Sequence, residues 1–136
     1  MEITQFIMQY NAKIKGKSLN EEEDLKIISN MIHPKKYLSF SKKKNIVQDI
    51  IKNTIIQDDN LNIMYDGCEK YLYTIITLIN EYTDLNIDEK GYDQICANRL
   101  LHKIIASFGE EYDVVIGMID IYMEELELKH IDIRKW

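Results

Sequence analysis

Apolar residues recur three and four positions apart along most of this 136-residue chain, which is the spacing of one face of an α-helix. The first stretch consists of Ile3, Phe6, Ile7, Tyr10 and Ile14. Comparable stretches follow within residues 25–32, 46–51, 68–82, 92–108 and 112–126. The sequence therefore predicts an all-α or mainly α fold, a single compact bundle of five or six helices that forms one domain over residues 1–136.

Capping and turn residues predict where the early helices begin and end. Ser18 stands three residues before Glu21 and forms the pattern of a capping box at the start of the second helix. The only proline, Pro34, ends that helix, because the residue before a proline is disfavoured in helical conformation. Ser39 or Ser41 is the expected N-cap of the third helix.

Residues 54–65 break the helical pattern and predict a minor β-hairpin or an irregular connector. Turn-forming residues 58–60 separate two short apolar stretches within this segment. Asp66 restarts helix formation, and Gly109 is expected to end the fifth helix as a C-cap. The tail of the chain, residues 130–136, is expected to dock as an extended strand or to remain loose.

The two cysteines and the absence of long apolar stretches predict a cytoplasmic, soluble protein. Cys68 and Cys96 fall within helical apolar patterns and outside any Cys-x-x-Cys unit, so we expect two buried thiols in a reducing compartment. The longest uncharged apolar candidates, residues 3–12 and 71–80, are shorter than the roughly 18 to 20 residues of a membrane span. No secretory signal is recognisable at the start of the chain.

Charge is divided by position along the chain. Residues 1–53 carry 10 Lys and Arg against 6 Asp and Glu, a net charge of +4, whereas residues 54–136 carry 7 against 17, a net charge of −10. We expect a basic region and a larger acidic one that steer charged partners. Oppositely charged halves also permit head-to-tail self-association into a homo-oligomer.

Catalytic and cofactor motifs are missing from the sequence, which predicts a protein that is not an enzyme. No glycine-rich phosphate loop and no nucleophile elbow occurs. His33, His102 and His130 lie too far apart to place two metal ligands on one helical face. The loop of residues 84–91, which contains Asp84, Asp88 and Glu89, lacks the register of a calcium-binding EF-hand loop. We therefore expect no metal ion and no cofactor.

Two groups of charged residues are candidates for partner binding. The acidic candidates are Glu110, Glu111, Glu124 and Glu125, which form two pairs on the last predicted helix. They stand beside a regular apolar pattern, where an ordinary solvated face explains them equally well.

The basic candidates are Lys35, Lys36, Lys42, Lys43 and Lys44, with Lys52 further along the third helix. Tyr37 and Phe40 stand among these lysines, so the region could contact phosphates and stack on bases. The absence of arginine there and the acidic composition of the chain make nucleic acid an unlikely partner. The alternative is a general preference for lysine at surface positions.

Residue choice suggests an AT-rich genome. Ile, Lys, Asn and Tyr supply 24, 15, 10 and 9 residues, whereas Ala, Arg and Pro supply 3, 2 and 1. The first four residue types have AT-rich codons and the last three have GC-rich codons. We infer a low-GC source, such as a low-GC bacterium or its phages.

Three segments resemble small, mostly uncharacterised proteins of phages and prophages of low-GC Gram-positive bacteria. They are a tyrosine-containing turn before a basic helix (KYLSF, residues 36–40), a central helix that ends in an aromatic-Thr-Asp-Leu unit (residues 71–85), and an acidic last helix (residues 112–126). The resemblance implies an accessory phage protein that acts through protein contacts.

Three functions remain open at this stage. The first is a non-enzymatic phage protein that takes part in virion assembly or docks on another phage protein. The second is an anti-defence inhibitor that binds a host nuclease, for example a CRISPR nuclease, through its acidic half. The third is a nucleic-acid-binding module that uses residues 35–52.

Overall fold

The computed structural model describes all 136 residues, Met1–Trp136, and confirms the mainly α fold. Seven α-helices and two short β-strands follow one another along the chain. They are α1 (Ile3–Ile14), α2 (Glu21–Ile32), α3 (Phe40–Thr54), β1 (Ile55–Gln57), β2 (Ile63–Tyr65), α4 (Gly67–Tyr82), α5 (Glu89–Ala97), α6 (Leu101–Ala106) and α7 (Gly109–Lys129). A short 3₁₀ helix, Ile133–Lys135, ends the chain.

The count of seven helices exceeds the expected five or six because one predicted helix is divided. The pattern over residues 92–108 is interrupted at Arg99, whose φ of 57° is in the left-handed region. A residue in that conformation cannot continue a right-handed helix, so α5 ends before it and α6 begins after it. The apolar spacing continues across the break because both short helices face the same interior.

The predicted hairpin is present. Strands β1 and β2 pair antiparallel, with Ile56 opposite Met64. Asp58 shapes the turn, because its Oδ1 atom accepts hydrogen bonds from the backbone N–H groups of Asn60 and Asn62, both at 2.8 Å. Such side-chain acceptors are what favour Asp in turns.

The helix caps confirm some sequence predictions and correct others. Ser39 caps α3 by accepting a hydrogen bond from the N–H of Lys42, and Asp66 caps α4 by accepting from the N–H groups of Cys68 and Glu69. The capping box of Ser18 and Glu21 was wrong. Helix α2 begins later, with Asn20 as its N-cap.

The proposed C-cap at Gly109 was also wrong, since Gly109 is the first residue of α7. Its φ is not positive, and a glycine C-cap requires the left-handed conformation. The chain instead leaves α6 through Ser107, whose hydroxyl donates a hydrogen bond of 2.5 Å to the carbonyl of Ile104.

Contacts divide the chain into two compact units, and the single-domain expectation stays a prediction. The first unit contains Met1–Tyr37 and Leu78–Gly109. Its core combines aliphatic and aromatic side chains: Tyr82 and Phe108 are buried and stack with ring centroids 5.0 Å apart. The backbone N–H of Lys35 donates to the carbonyl of Tyr82 at 2.7 Å and so fixes the chain after α2.

The second unit contains Leu38–Thr77 and Glu110–Trp136. Its core consists of aliphatic residues from α3, α4 and α7, including Val47, Ile75 and Ile119. The tail of the chain is docked here as a 3₁₀ helix rather than as a strand or a loose end. The side chain of Gln57 holds it by donating to the carbonyl of Ile131 at 2.7 Å and accepting from the N–H of Ile133 at 2.9 Å.

The expectation of two buried thiols was wrong, because Cys68 and Cys96 are both exposed and free. Cys96 directly follows the buried Ile95 and lies about 100° around α5 from it, whereas Cys68 lies on the same side of α4 as the buried Ile75 but in the first turn of the helix. The apolar character of the surrounding residues predicted the helices correctly but did not predict the exposure of the two thiols.

Candidate protein-binding surface

The four acidic candidates have different environments on α7. Glu110 and Glu124 are exposed, whereas Glu125 is half-buried and lies 3.5 Å from Lys129, one helical turn later. Glu111 is buried, with a relative exposure of 5%. An external partner therefore cannot reach Glu111, and this candidate was wrong as a partner-binding residue.

Glu111 is held in the interior by a buried ion pair with Lys43. The Nζ atom of Lys43 lies 3.0 Å from Oε2 of Glu111, and the two side chains are 8% and 6% exposed. The other carboxylate oxygen accepts a hydrogen bond of 2.8 Å from the backbone N–H of Leu38. A buried charge is tolerated only when it is paired and hydrogen-bonded, and here one carboxylate connects the start of α3 to the start of α7.

The lysine candidates do not form one uniform set. Lys43 is buried, so it drops out of the basic patch, while Lys42 and Lys44 are exposed on α3 in the second unit. Lys35 and Lys36 belong to the first unit, where Nζ of Lys36 donates to the carbonyl of Ser107 at 2.5 Å.

Further along α3, Lys52 donates a hydrogen bond of 2.8 Å to the carbonyl oxygen of Trp136. Lys43 stands three residues before the buried Ile46 and lies on the inner side of α3, whereas Lys42 and Lys44 are rotated by about 100° to either side of it.

The division of charge by sequence position does not describe the two units. The first unit carries 9 Lys and Arg against 10 Asp and Glu, a net charge of −1, and the second carries 8 against 13, a net charge of −5. The basic early residues are shared between the units because each unit combines an early and a late part of the chain. Most of the net negative charge therefore lies in the second unit.

Exposed apolar side chains are also concentrated in the second unit. Eleven large apolar side chains are exposed, and three of them, Met1, Met8 and Tyr37, belong to the first unit. The other eight are Phe40, Ile56, Met64, Tyr65, Tyr71, Val114, Ile121 and Leu128. Single exposed apolar residues are normal on a protein surface, whereas a contiguous group of them is typical of a protein-contact surface.

A shallow groove lies between α4 and α7 within this unit. Its lining includes Tyr71, Tyr112 and Ile116, and its volume is about 260 Å³. Burial raises the pKa of the Tyr112 hydroxyl, and the nearby Tyr71 and Asp113 raise it further. Two tyrosines at the edge of an apolar groove offer the amphipathic anchors that protein interfaces favour.

The first unit contains a polar cluster that sequence patterns did not reveal. Tyr10 on α1 donates a hydrogen bond of 2.5 Å to Asp24 on α2, and Nζ of Lys103 on α6 lies 2.7 Å from the same carboxylate. The Lys103 ammonium also donates to the Tyr10 hydroxyl at 3.2 Å. No local motif predicts this cluster, because its members are 14 and 93 residues apart.

Protonation in this cluster follows from its contacts. Burial by itself would raise the pKa of Asp24, but hydrogen bonds from Lys103 and Tyr10 outweigh burial and lower it. The hydrogen bond to Asp24 raises the pKa of Lys103, and burial together with the same carboxylate raises the pKa of Tyr10. All three pKa shifts favour an ionised Asp24, a protonated Lys103 and a neutral Tyr10, which hydrogen-bond to one another. Such an arrangement is typical of a structural network.

A surface crevice of about 450 Å³ adjoins this cluster, and its lining includes Asp24 and Lys103 together with Leu25, Arg99 and His102. Elsewhere in the unit, Nδ1 of His33 lies 2.6 Å from a carboxylate oxygen of Asp84, and both side chains are largely exposed.

No three His, Cys, Asp or Glu side chains are grouped so that they could hold a metal ion. None of the helices combines the length and the apolar content that crossing a membrane requires.

Comparisons with known proteins give no relative from which a function could be transferred. No protein-family model matches the chain, and neither a curated protein nor a solved structure matches it. The resemblance to phage proteins therefore stays a prediction.

Proposed function

We propose that this chain is a non-enzymatic accessory protein of a phage and acts through protein-protein contacts, for example in the assembly of the virion. One observation carries the proposal: eight of the eleven exposed large apolar side chains belong to the second unit, which also carries a net charge of −5. A contact surface needs apolar area to bury and charges that select the partner. The assignment to a phage rests on the resemblance and on the AT-rich composition.

A second candidate function is inhibition of a host defence nuclease. It is favoured by the exposed acidic residues of α7, since a row of carboxylates can occupy a basic surface that normally binds nucleic acid. The nucleic-acid-binding function has less support, because the central lysine of the basic candidates, Lys43, is buried.

Affinity capture of the tagged protein from phage-infected cells of a low-GC bacterium tests the proposal. The capture is performed at low and at high salt, and bound proteins are identified by mass spectrometry. We expect phage structural proteins that stay bound at high salt, because apolar contacts are not screened by ions.

Two variants sharpen the capture experiment. Tyr71→Ser removes an exposed aromatic ring of the second unit, and Met8→Ser removes an exposed apolar side chain of the first. Loss of the phage protein with the first variant alone supports the proposal. Recovery of a host nuclease that is lost at high salt favours the inhibitor, and recovery of nothing but the bait contradicts both functions.

A further inference from the structure

Helix α7 has a second apolar face that the protein itself leaves uncovered. Val115, Ile119, Met123 and Leu126 are buried in the second unit, as expected for one side of an amphipathic helix. Val114, Ile121 and Leu128 are 43%, 58% and 71% exposed. Successive residues are rotated by about 100° around a helix, so these three residues lie roughly opposite the buried side.

The three exposed aliphatic residues are spaced seven apart. Seven residues make nearly two full turns and return to the same side of a helix with a drift of only about 20°. Val114, Ile121 and Leu128 therefore form a continuous strip, here called the outer seam, along about 21 Å of α7. This is the spacing of one of the two apolar positions in a coiled coil.

Acidic residues repeat with the same period beside the outer seam. Asp113, Asp120 and Glu127 directly precede its three members, and all three are exposed. In a coiled coil, residues at this position flank the apolar contact and pair with charges on the other helix. Glu110 and Glu124 extend the negative charge along the same side.

Gly117 lies between Val114 and Ile121 on this side of the helix. A Cβ atom placed on Gly117 would have no heavy atom within 4 Å, so the position is an open hollow in the surface. A side chain of an approaching helix can enter such a hollow, as a knob enters the holes of a coiled coil.

We propose that the outer seam of α7 is the docking site of an amphipathic helix with an aliphatic face flanked by lysine or arginine. The inference rests on the proposed function and specifies the partner's chemistry. Charge complementarity selects this occupant. A second copy of α7 would set acidic residues against acidic residues, and the same acidic residues would repel nucleic-acid phosphates.

Two synthetic peptides of about three heptads test the proposal. Both carry leucine at the apolar positions, but one carries lysine and the other glutamate at the flanking positions. Binding to the full-length protein is measured by isothermal titration calorimetry. We expect the lysine peptide to bind at least about tenfold more tightly than the glutamate peptide, with an advantage that shrinks as salt is raised.

A substitution without a charge change separates docking on the seam from general attraction between a basic peptide and an acidic protein. Ile121→Gln is expected to weaken binding of the lysine peptide about tenfold, because it removes the central aliphatic contact. Met8→Gln is the matched control: it replaces a similarly exposed apolar side chain in the first unit and should leave binding unchanged. Equal weakening by both variants, or by neither, would overturn the proposal.

A charge-matched pair of variants tests the acidic flank. Asp113→Asn/Asp120→Asn/Glu127→Gln should weaken binding of the lysine peptide more than the control Glu2→Gln/Glu22→Gln/Asp93→Asn. Both triple variants change the net charge by the same amount, and all six positions are exposed. Unchanged thermal melting confirms that the variants fold, and an equal effect of the two triples would contradict a specific site.

The Ile121→Gln variant also distinguishes this inference from the proposed function. If affinity capture recovers the same phage protein with the wild type and with Ile121→Gln, the partner contacts another surface. The proposed function then stands while the docking site fails. Loss of that protein with Ile121→Gln, but not with Met8→Gln, supports both.

Discussion

The two units differ in how far their main networks of charged side chains are exposed to solvent. The network of the first unit is partly exposed, whereas that of the second unit is buried. In the Tyr10–Asp24–Lys103 cluster, the Lys103 side chain is 44% exposed, so water still solvates part of the charge. The Lys43–Glu111 pair is less than 10% exposed on both sides. Removing two charges from water costs several kcal/mol for each ion, and only close pairing and further hydrogen bonds offset that cost.

Apolar side chains show the reverse, because the second unit exposes more of them than the first unit does. The first unit buries the aromatic side chains of Phe6, Tyr82 and Phe108 and exposes only three large apolar ones. The second unit exposes aliphatic residues on the outer side of α7 while it buries a charged pair on the inner side. Residue type alone therefore does not tell which side of a helix faces the core.

The largest expected difference comes from breaking the buried pair. Glu111→Ala should lower the free energy of unfolding by about 3 to 5 kcal/mol, because it leaves the buried Lys43 ammonium without this carboxylate. It also removes the acceptor for the Leu38 N–H. Denaturant unfolding followed by circular dichroism measures the change.

Two further variants control this measurement. Glu110→Ala changes the exposed neighbour and should cost less than about 0.5 kcal/mol. The double variant Lys43→Met/Glu111→Leu removes both charges and should recover most of the loss, since an apolar pair avoids the desolvation cost. A double variant as unstable as Glu111→Ala would show that the loss comes from packing or from the missing Leu38 hydrogen bond rather than from the buried Lys43 charge.

This pair also marks the limit of prediction from the sequence. The 3.6-residue spacing of apolar residues predicted the helices correctly, because burial of one helical side imposes that spacing locally. Lys43 lies three residues before the buried Ile46, and Glu111 lies four before the buried Val115, so the same spacing places both on the buried sides of α3 and α7. That these two side chains meet, although they are 68 residues apart, depends on how distant helices pack, and local patterns do not encode that.

The helix boundaries, too, could be predicted only where the hydrogen bonds that set them are local. Ser39 and Asp66 were predicted as caps because their hydrogen bonds are local, whereas the break at Arg99 was missed because the apolar spacing continues through it. The outer seam of α7 was present in the sequence as a seven-residue period. It was not recognised because only the structure shows that this side of the helix is uncovered.

An intermediate effect on stability is expected from a substitution in the Tyr10–Asp24–Lys103 cluster of the first unit. Asp24→Asn should lower the free energy of unfolding by about 1 to 2 kcal/mol at neutral pH, since it weakens two charge-assisted hydrogen bonds. The value is at the low end for such bonds because solvent screens the partly exposed Lys103.

The cost of Asp24→Asn should depend on pH. The pKa of Asp24 is below its ordinary value of 3.8 in the folded protein, so the carboxylate contributes its full stabilisation above pH 3.8. That contribution is lost as the pH falls through the lower folded value. Wild type and variant should therefore converge in unfolding free energy on the acid side. Asp93→Asn, at an exposed position of the same unit, is the control, and a gap between wild type and Asp24→Asn that persists into strong acid would contradict the assignment.

The smallest expected changes in the free energy of unfolding come from two glycine substitutions, one in each unit. Gly117 on α7 has open space where a Cβ would lie, so Gly117→Ala should raise the free energy of unfolding by about 0.5 to 1 kcal/mol through better helix propensity. On α5 in the first unit, a Cβ on Gly91 would lie 2.9 Å from Cβ of Ile87, which is buried and cannot move away cheaply. Gly91→Ala should therefore destabilise the protein, since overpacking costs typically 1 kcal/mol or more and exceeds the gain in propensity. Urea unfolding of both variants measures the two signs. Stabilisation by both substitutions would mean that the first unit is less tightly packed around Gly91 than the distances indicate.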